Sequence, residues 1–227
     1  MLDPEAVQAA LLAAAGDLQA LVNQLGLAAR STSAMKFGFR SDLRAFLRRA
    51  LQFGQAELVS VETPLGQGTF EVPTDVVVSA KSKAPQLAVE LQWHPRGEDH
   101  LAFADAAMRD LVRMAIARGT NVVEQGAVLL AAPTRFWRWL GGYAGERAGY
   151  ELLDPDPETP VSTKSDFLGG SAWRSLFERW PDPKVPERLW SSLAAEATVR
   201  SPWGDMELRL LDVKGLGSVR PVRGGKG

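Results

Sequence analysis

The segments Thr74-Asp75-Val76-Val77-Val78 and Leu87-Ala88-Val89-Glu90-Leu91-Gln92-Trp93 each set an acid in a largely apolar run. Taking a carboxylate out of water is costly unless it is paired or bound to a metal ion. Alternate side chains of a strand share a face, so Glu90 and Gln92 point one way and Val89 and Leu91 the other. If the two runs pair as a hairpin, Asp75 and Glu90 meet at one end of a sheet. Converging carboxylates offer the hard oxygen ligands that Mg2+ prefers. An ion held there would polarise a phosphate and acidify a water, which is the chemistry of phosphodiester hydrolysis. An edge strand whose Glu90 and Gln92 face water fits the same alternation.

Bulk composition narrows the alternatives. With 26 Lys and Arg against 27 Asp and Glu, the formal charge is −1. Any nucleic-acid surface must therefore come from local clustering of cations. The chain has no Cys, which excludes disulfides, thiolate metal sites and cysteine nucleophiles. The two His, His94 and His100, are too few for a His-rich zinc site. Asp3 and Glu5 precede the apolar N-terminal stretch where a signal peptide carries basic residues. No uninterrupted apolar run reaches the roughly 18 residues that span a bilayer. The expectation is a cytoplasmic protein without a membrane segment.

The elements that must position these acids follow from periodicity. Pro4 to Leu27 and Ser41 to Phe53 have the three- and four-residue spacing of helices. Asp3 fits an N-cap and Pro4 the first helical position. Glu57 to Thr63, Phe70 to Ala80 and Leu87 to Trp93 change to a strand pattern. The third is apolar almost throughout, as in a strand covered on both faces. Phe103 to Arg118 is an amphipathic helix and Gly126 to Ala132 another strand, so a crossover and a parallel pairing are expected. Farther on, helices are expected at Ala172 to Trp180 and Glu187 to Thr198, a closing strand at Met206 to Val213, and a frayed tail from Gly215. The organisation expected is one α/β domain over residues 1–214. Its N-terminal helices occupy 4–53, its core 54–140 and a helical and strand part 160–214, with a flexible tail at 215–227.

Asp75, then Glu90-Leu91-Gln92, then a helix and a strand, resembles the PD-(D/E)XK nuclease superfamily, the fold of many type II restriction endonucleases. The likeness covers roughly residues 40 to 137. It implies a restriction-endonuclease-like core, a central mixed sheet flanked by helices. It also implies a Mg2+-dependent endonuclease acting on double-stranded DNA, with Mn2+ a possible substitute. In that family Asp75 and Glu90 would hold the metal, the Leu91 carbonyl would be a further ligand, and Glu57 stands near where an additional acid often lies. Glu62 and Glu71 are alternatives for that acid. Gln92 stands where the family has lysine. It cannot act as a base at neutral pH, but it can orient a water, and some restriction endonucleases of the superfamily carry glutamine there. His94 and Arg96, just past the motif, and Arg40, Arg135 and Arg138 are the candidate nucleic-acid contacts. A homodimer suits double-strand cleavage, because two-fold symmetry matches two antiparallel strands. The alternative is a catalytically inactive module of this fold that binds DNA or a protein partner. Asp205 with Asp212-Val213-Lys214 spells a competing motif, but too little chain follows it for the helix and strand of the core.

Overall fold

Apolar residues at helical spacing give α1 (Pro4–Ala28) and α2 (Phe39–Gly54) a face each to bury. Leu11 and Leu18 of α1 and Leu43 and Leu47 of α2 lie in one core cluster. An Arg49–Asp17 ion pair ties the two helices at the surface. The computed structural model describes residues 4–28, 39–54, 58–65, 73–79, 85–94, 99–143, 150–154, 160–162, 184–201 and 204–221.

Three antiparallel strands follow: β1 (Leu58–Thr63), β2 (Thr74–Ser79) and β3 (Pro85–Trp93). Helix α3 (His100–Gly119) then crosses to β4 (Gln125–Pro133), which pairs parallel with β3. Helix α4 (Thr134–Tyr143) and a 3-10 turn (Tyr150–Leu153) come next. The last strands are β5 (Val161–Ser162), β6 (Lys184–Val199) and β7 (Met206–Pro221). All seven belong to one mixed sheet of order β1-β2-β3-β4-β7-β6-β5. The expected succession of helix, three strands, helix and parallel strand is present.

The sheet is covered on both faces. Leu87, Val89 and Leu91 of β3 pack with α1 and α2. Ala88, on the opposite face, packs with α3, α4 and the 3-10 turn. Glu90 and Gln92 share the parity of Ala88 and so turn toward α3. Helix α3 starts earlier than its apolar pattern suggests, because Asp99 caps it by accepting the Leu101 N–H at 2.9 Å.

Three expectations are corrected. Glu187 to Thr198 is not a helix but most of β6, hydrogen-bonded to β7 along its length. Its alanines favour helix, and the long pairing with β7 overrides that preference. The register shifts between Leu193 and Ala195, where one extra residue enters β6. That bulge reverses the alternation, so Leu189 packs with α3 while Ala195 packs with α1 and α2. The strand expected at Met206 to Val213 runs on to Pro221, so the segment expected to fray from Gly215 is paired with β6 up to there. Residues 134–143, given no element from the sequence, form α4. The helix expected at Ala172 to Trp180 lies outside the described residues.

The stretch Glu5–Leu25 of α1, interrupted by Asp17, is 21 residues with a hydropathy of 1.2, long and apolar enough to cross a membrane by those measures alone. In this fold Leu11, Ala14, Leu18 and Val22 of that helix are buried in the core cluster with α2 and the sheet.

Candidate active site

The sheet opens at Asp75. Pairing of β2 with β3 runs from Ser79↔Pro85 to Val76↔Val89 and stops there. On the other side, β1 pairs with β2 at Val61↔Val76 and Thr63↔Thr74, passing over Glu62 and Asp75. Glu62 has φ of +49°, a left-handed conformation that is uncommon without glycine. Such irregularities concentrate at functional sites.

In that opening Asp75 is buried and multiply held. Its Oδ2 accepts the Leu91 N–H at 2.9 Å, so its carboxylate lies against the Glu90–Leu91 peptide. From α2, Arg40 donates to Oδ2 at 2.9 Å and Arg44 to Oδ1 at 3.3 Å. Arg44 also donates to Glu62 at 2.6 Å. The N–H and C=O of one strand residue point to the same side, so the Leu91 carbonyl also faces the opening. A cavity of about 520 Å³ over Asp75 is lined by Arg40, Ser41, Arg44, Glu62 and Pro73.

Glu90 is held from the other layer. It is buried and ion-paired with Arg113 of α3, itself only 3% exposed. Arg113 also donates to Thr74 Oγ1 at 3.0 Å, which anchors the guanidinium between β2 and β3. Arg113 is therefore a buried cation seated between α3 and the sheet. The two expected acids do lie at one end of the sheet, but they do not converge freely: α2 neutralises one and α3 the other.

Gln92 Nε2 donates to Asp110 Oδ2 of α3. Asp110 lies beside Arg109 and one helical turn before Arg113, a spacing that by itself suggests an ordinary surface pair. Burial pushes the Asp110 carboxyl up to about 6, with the negative charge of Asp75 adding to the rise. The Gln92 bond and the charges of Arg109 and Arg40 pull the other way. Helical spacing hides this role, because only the seating of α3 over β3 reveals it.

The other candidates separate. Glu57, Glu71 and Arg96 lie outside the described residues. Arg40 is turned onto Asp75, although its side chain stays 48% exposed. His94 is not the open contact expected: it is 1% exposed and packs on Phe103 and Phe136. Its Nε2 lies 2.7 Å from His100 Nδ1. Burial and then the nearby Arg135 charge lower the His100 pKa. Arg135 and Arg138 are exposed on α4, and Trp137 is buried under the Arg209 guanidinium. Both arginines border a second cavity, about 310 Å³, beyond the carboxyl ends of β3 and β4 beside Trp93. The competing pair does not assemble. Asp212 binds Arg118 at 2.9 Å, with Lys214 3.6 Å away, and Asp205 lies just before β7, seven residues from Asp212 along the chain.

Among the described residues, no group of three or more His, Asp or Glu side chains is arranged to hold a metal ion. The groups nearest the end of the β2–β3 pairing are nonetheless hard oxygen donors, the Asp75 carboxylate and the Leu91 carbonyl, with Glu90 one residue before Leu91 turned toward α3. Arg40, Arg44 and Arg113 supply the positive charge that these acids need when buried. Comparison of the chain with family models, with curated proteins and with solved structures finds no match.

Proposed function

We propose that the protein is a Mg2+-dependent DNA endonuclease built on a restriction-endonuclease-like core. One observation carries this reading: the β2–β3 pairing ends where the buried Asp75 carboxylate meets the Glu90–Leu91 peptide, which sets one acid against the backbone of the other. The order of α2, β1, β2, β3, α3 and β4 around that opening supports it.

In this reading Asp75, Glu90 and the Leu91 carbonyl hold the ion. The bound ion supplies charge stabilisation at the phosphate and a more acidic water. Residues of the chain do the rest. Arg113 must give up part of its pairing with Glu90, and its Thr74 bond keeps it nearby as a cation. Arg40 and Arg44, on the cavity wall, can turn from Asp75 to phosphate oxygens, a partner that guanidinium binds well. Arg135 and Arg138 extend the positive rim along the strand ends. Gln92, lacking a basic nitrogen, orients the water by hydrogen bonding. A two-fold dimer would present two such sites to the two strands of a duplex.

The second reading is an inactive module of the same fold that binds DNA or a protein partner. The observation that favours it is the neutralisation of both acids by arginines, one of them nearly inaccessible.

The test is incubation of varied duplex DNAs with Mg2+ or Mn2+, beside Asp75→Asn and Glu90→Gln variants. Cleavage by the wild type and not by either variant is expected. Intact DNA under all conditions, with retention of DNA in a gel shift, would instead leave the binding module.

A further inference from the structure

We infer that Asp110 is a positioning residue that clamps the amide of Gln92 and thereby turns its Oε1 outward, toward the water that attacks the phosphodiester. The inference rests on the nuclease reading above and assigns a role to a helix residue outside the acid pair. A carboxylate accepts hydrogen bonds and donates none. With Asp110 Oδ2 as the acceptor, the amide must present Nε2 to it, and Oε1 is left on the far side of the amide carbon. Gln92 shares its face of β3 with Glu90, two residues before it, so the freed oxygen belongs to the acidic end of the sheet. An unclamped glutamine can flip its amide and offer N–H donors there, which cannot accept a hydrogen bond from a nucleophilic water.

The surroundings of Asp110 suit a clamp. Asp75 of β2, Arg40 of α2 and Arg109 of its own helix act on its charge. One turn farther along α3, Arg113 engages Glu90. Both residues flanking the opening on β3, Glu90 and Gln92, are thus fixed by one face of α3, three residues apart. The amide takes no proton from the water. It accepts a hydrogen bond, and the proton leaves to solvent, so no base is required of Gln92.

The experiment compares wild type, Asp110→Ala and Asp110→Asn by steady-state cleavage of duplex DNA in Mg2+ above neutral pH. The same proteins, labelled with nitrogen-15, are followed through the Gln92 side-chain amide signals, identified by their loss in Gln92→Ala. Removing a residue that orients a catalytic group costs about 10- to 100-fold, and that is the fall in kcat expected for Asp110→Ala. KM for DNA should stay within about twofold, since the clamp acts on the chemical step rather than on binding. The Gln92 amide signals should move in Asp110→Ala. Asp110→Asn, whose Oδ1 still accepts, should hold both kcat and the signals near wild type. Wild-type kcat in Asp110→Ala, unmoved amide signals in it, or an Asp110→Asn as slow as Asp110→Ala each overturns the clamp. If wild type itself leaves DNA intact while the amide signals move in Asp110→Ala, the nuclease reading fails and the water-positioning role fails with it. Wild-type cleavage with unmoved signals overturns the clamp alone.

Discussion

Glu90 and Arg113 are two charges taken almost wholly out of water, so each depends on the other. Removing one partner of a buried pair leaves an uncompensated charge and costs about 3–5 kcal/mol. Glu90→Ala is expected to lose that much in urea unfolding, whereas Glu90→Gln, which keeps an acceptor for the guanidinium, should lose less. Equal losses would show that Arg113 does not need the acceptor. Asp110 sets a pH dependence of definite sign. Its folded value of about 6 lies above the ordinary 3.8, so between those values the folded chain binds the proton more tightly than the unfolded chain. Its contribution is fully present below the unfolded value and is lost as pH rises toward 6 and beyond. Asp110→Asn has no such proton. Its stability relative to wild type should therefore increase from pH 4 to pH 7, as followed by thermal melts across that range. A constant difference would mean that the carboxyl is not raised. At this scale Asp75, Glu90 and Gln92 were legible, because an acid within an apolar strand needs a partner. Asp110 was not, because its partner stands eighteen residues away on another element.

Elements here are limited by how closely their backbones approach. A Cβ added at Gly126 of β4 would lie 2.9 Å from the Met114 carbonyl oxygen of α3. Relief requires the helix to move off the sheet, and overpacking of this kind costs about 1–3 kcal/mol. Gly126→Ala is expected to lower the melting temperature accordingly, and an unchanged value would show that α3 can shift freely. Since α3 carries both Arg113 and Asp110, the same substitution should also weaken cleavage. The α2 to β4 succession was readable because each segment keeps one period over its length. β6 was not: its alanines suit a helix, and the added residue between Leu193 and Ala195 breaks the two-residue period that would have marked a strand.

Over the whole molecule, near-neutral charge conceals a local arrangement in which arginines from α2 and α3 surround the acids of the central sheet. A metal ion that binds only the folded chain stabilises it by RT ln(1 + [L]/Kd), or about 1.4 kcal/mol at ten times Kd. On the metal-dependent reading proposed above, millimolar Mg2+ or Mn2+ should raise the melting temperature of wild type but not of Asp75→Asn or Glu90→Gln. This outcome is independent of DNA cleavage. A rise shared by all three proteins would place the ion elsewhere, and no rise in wild type would favour the inactive module. Sequence alone determined that two acids and a glutamine sit within apolar strands, and that a helix and a parallel strand follow, because burial cost and periodicity are local properties of the chain. Tertiary structure decided who neutralises those acids, where the sheet opens and which way Gln92 is held. Those outcomes depend on the seating of α2 and α3 against the two faces of the sheet, which brings together residues that no spacing along the chain connects.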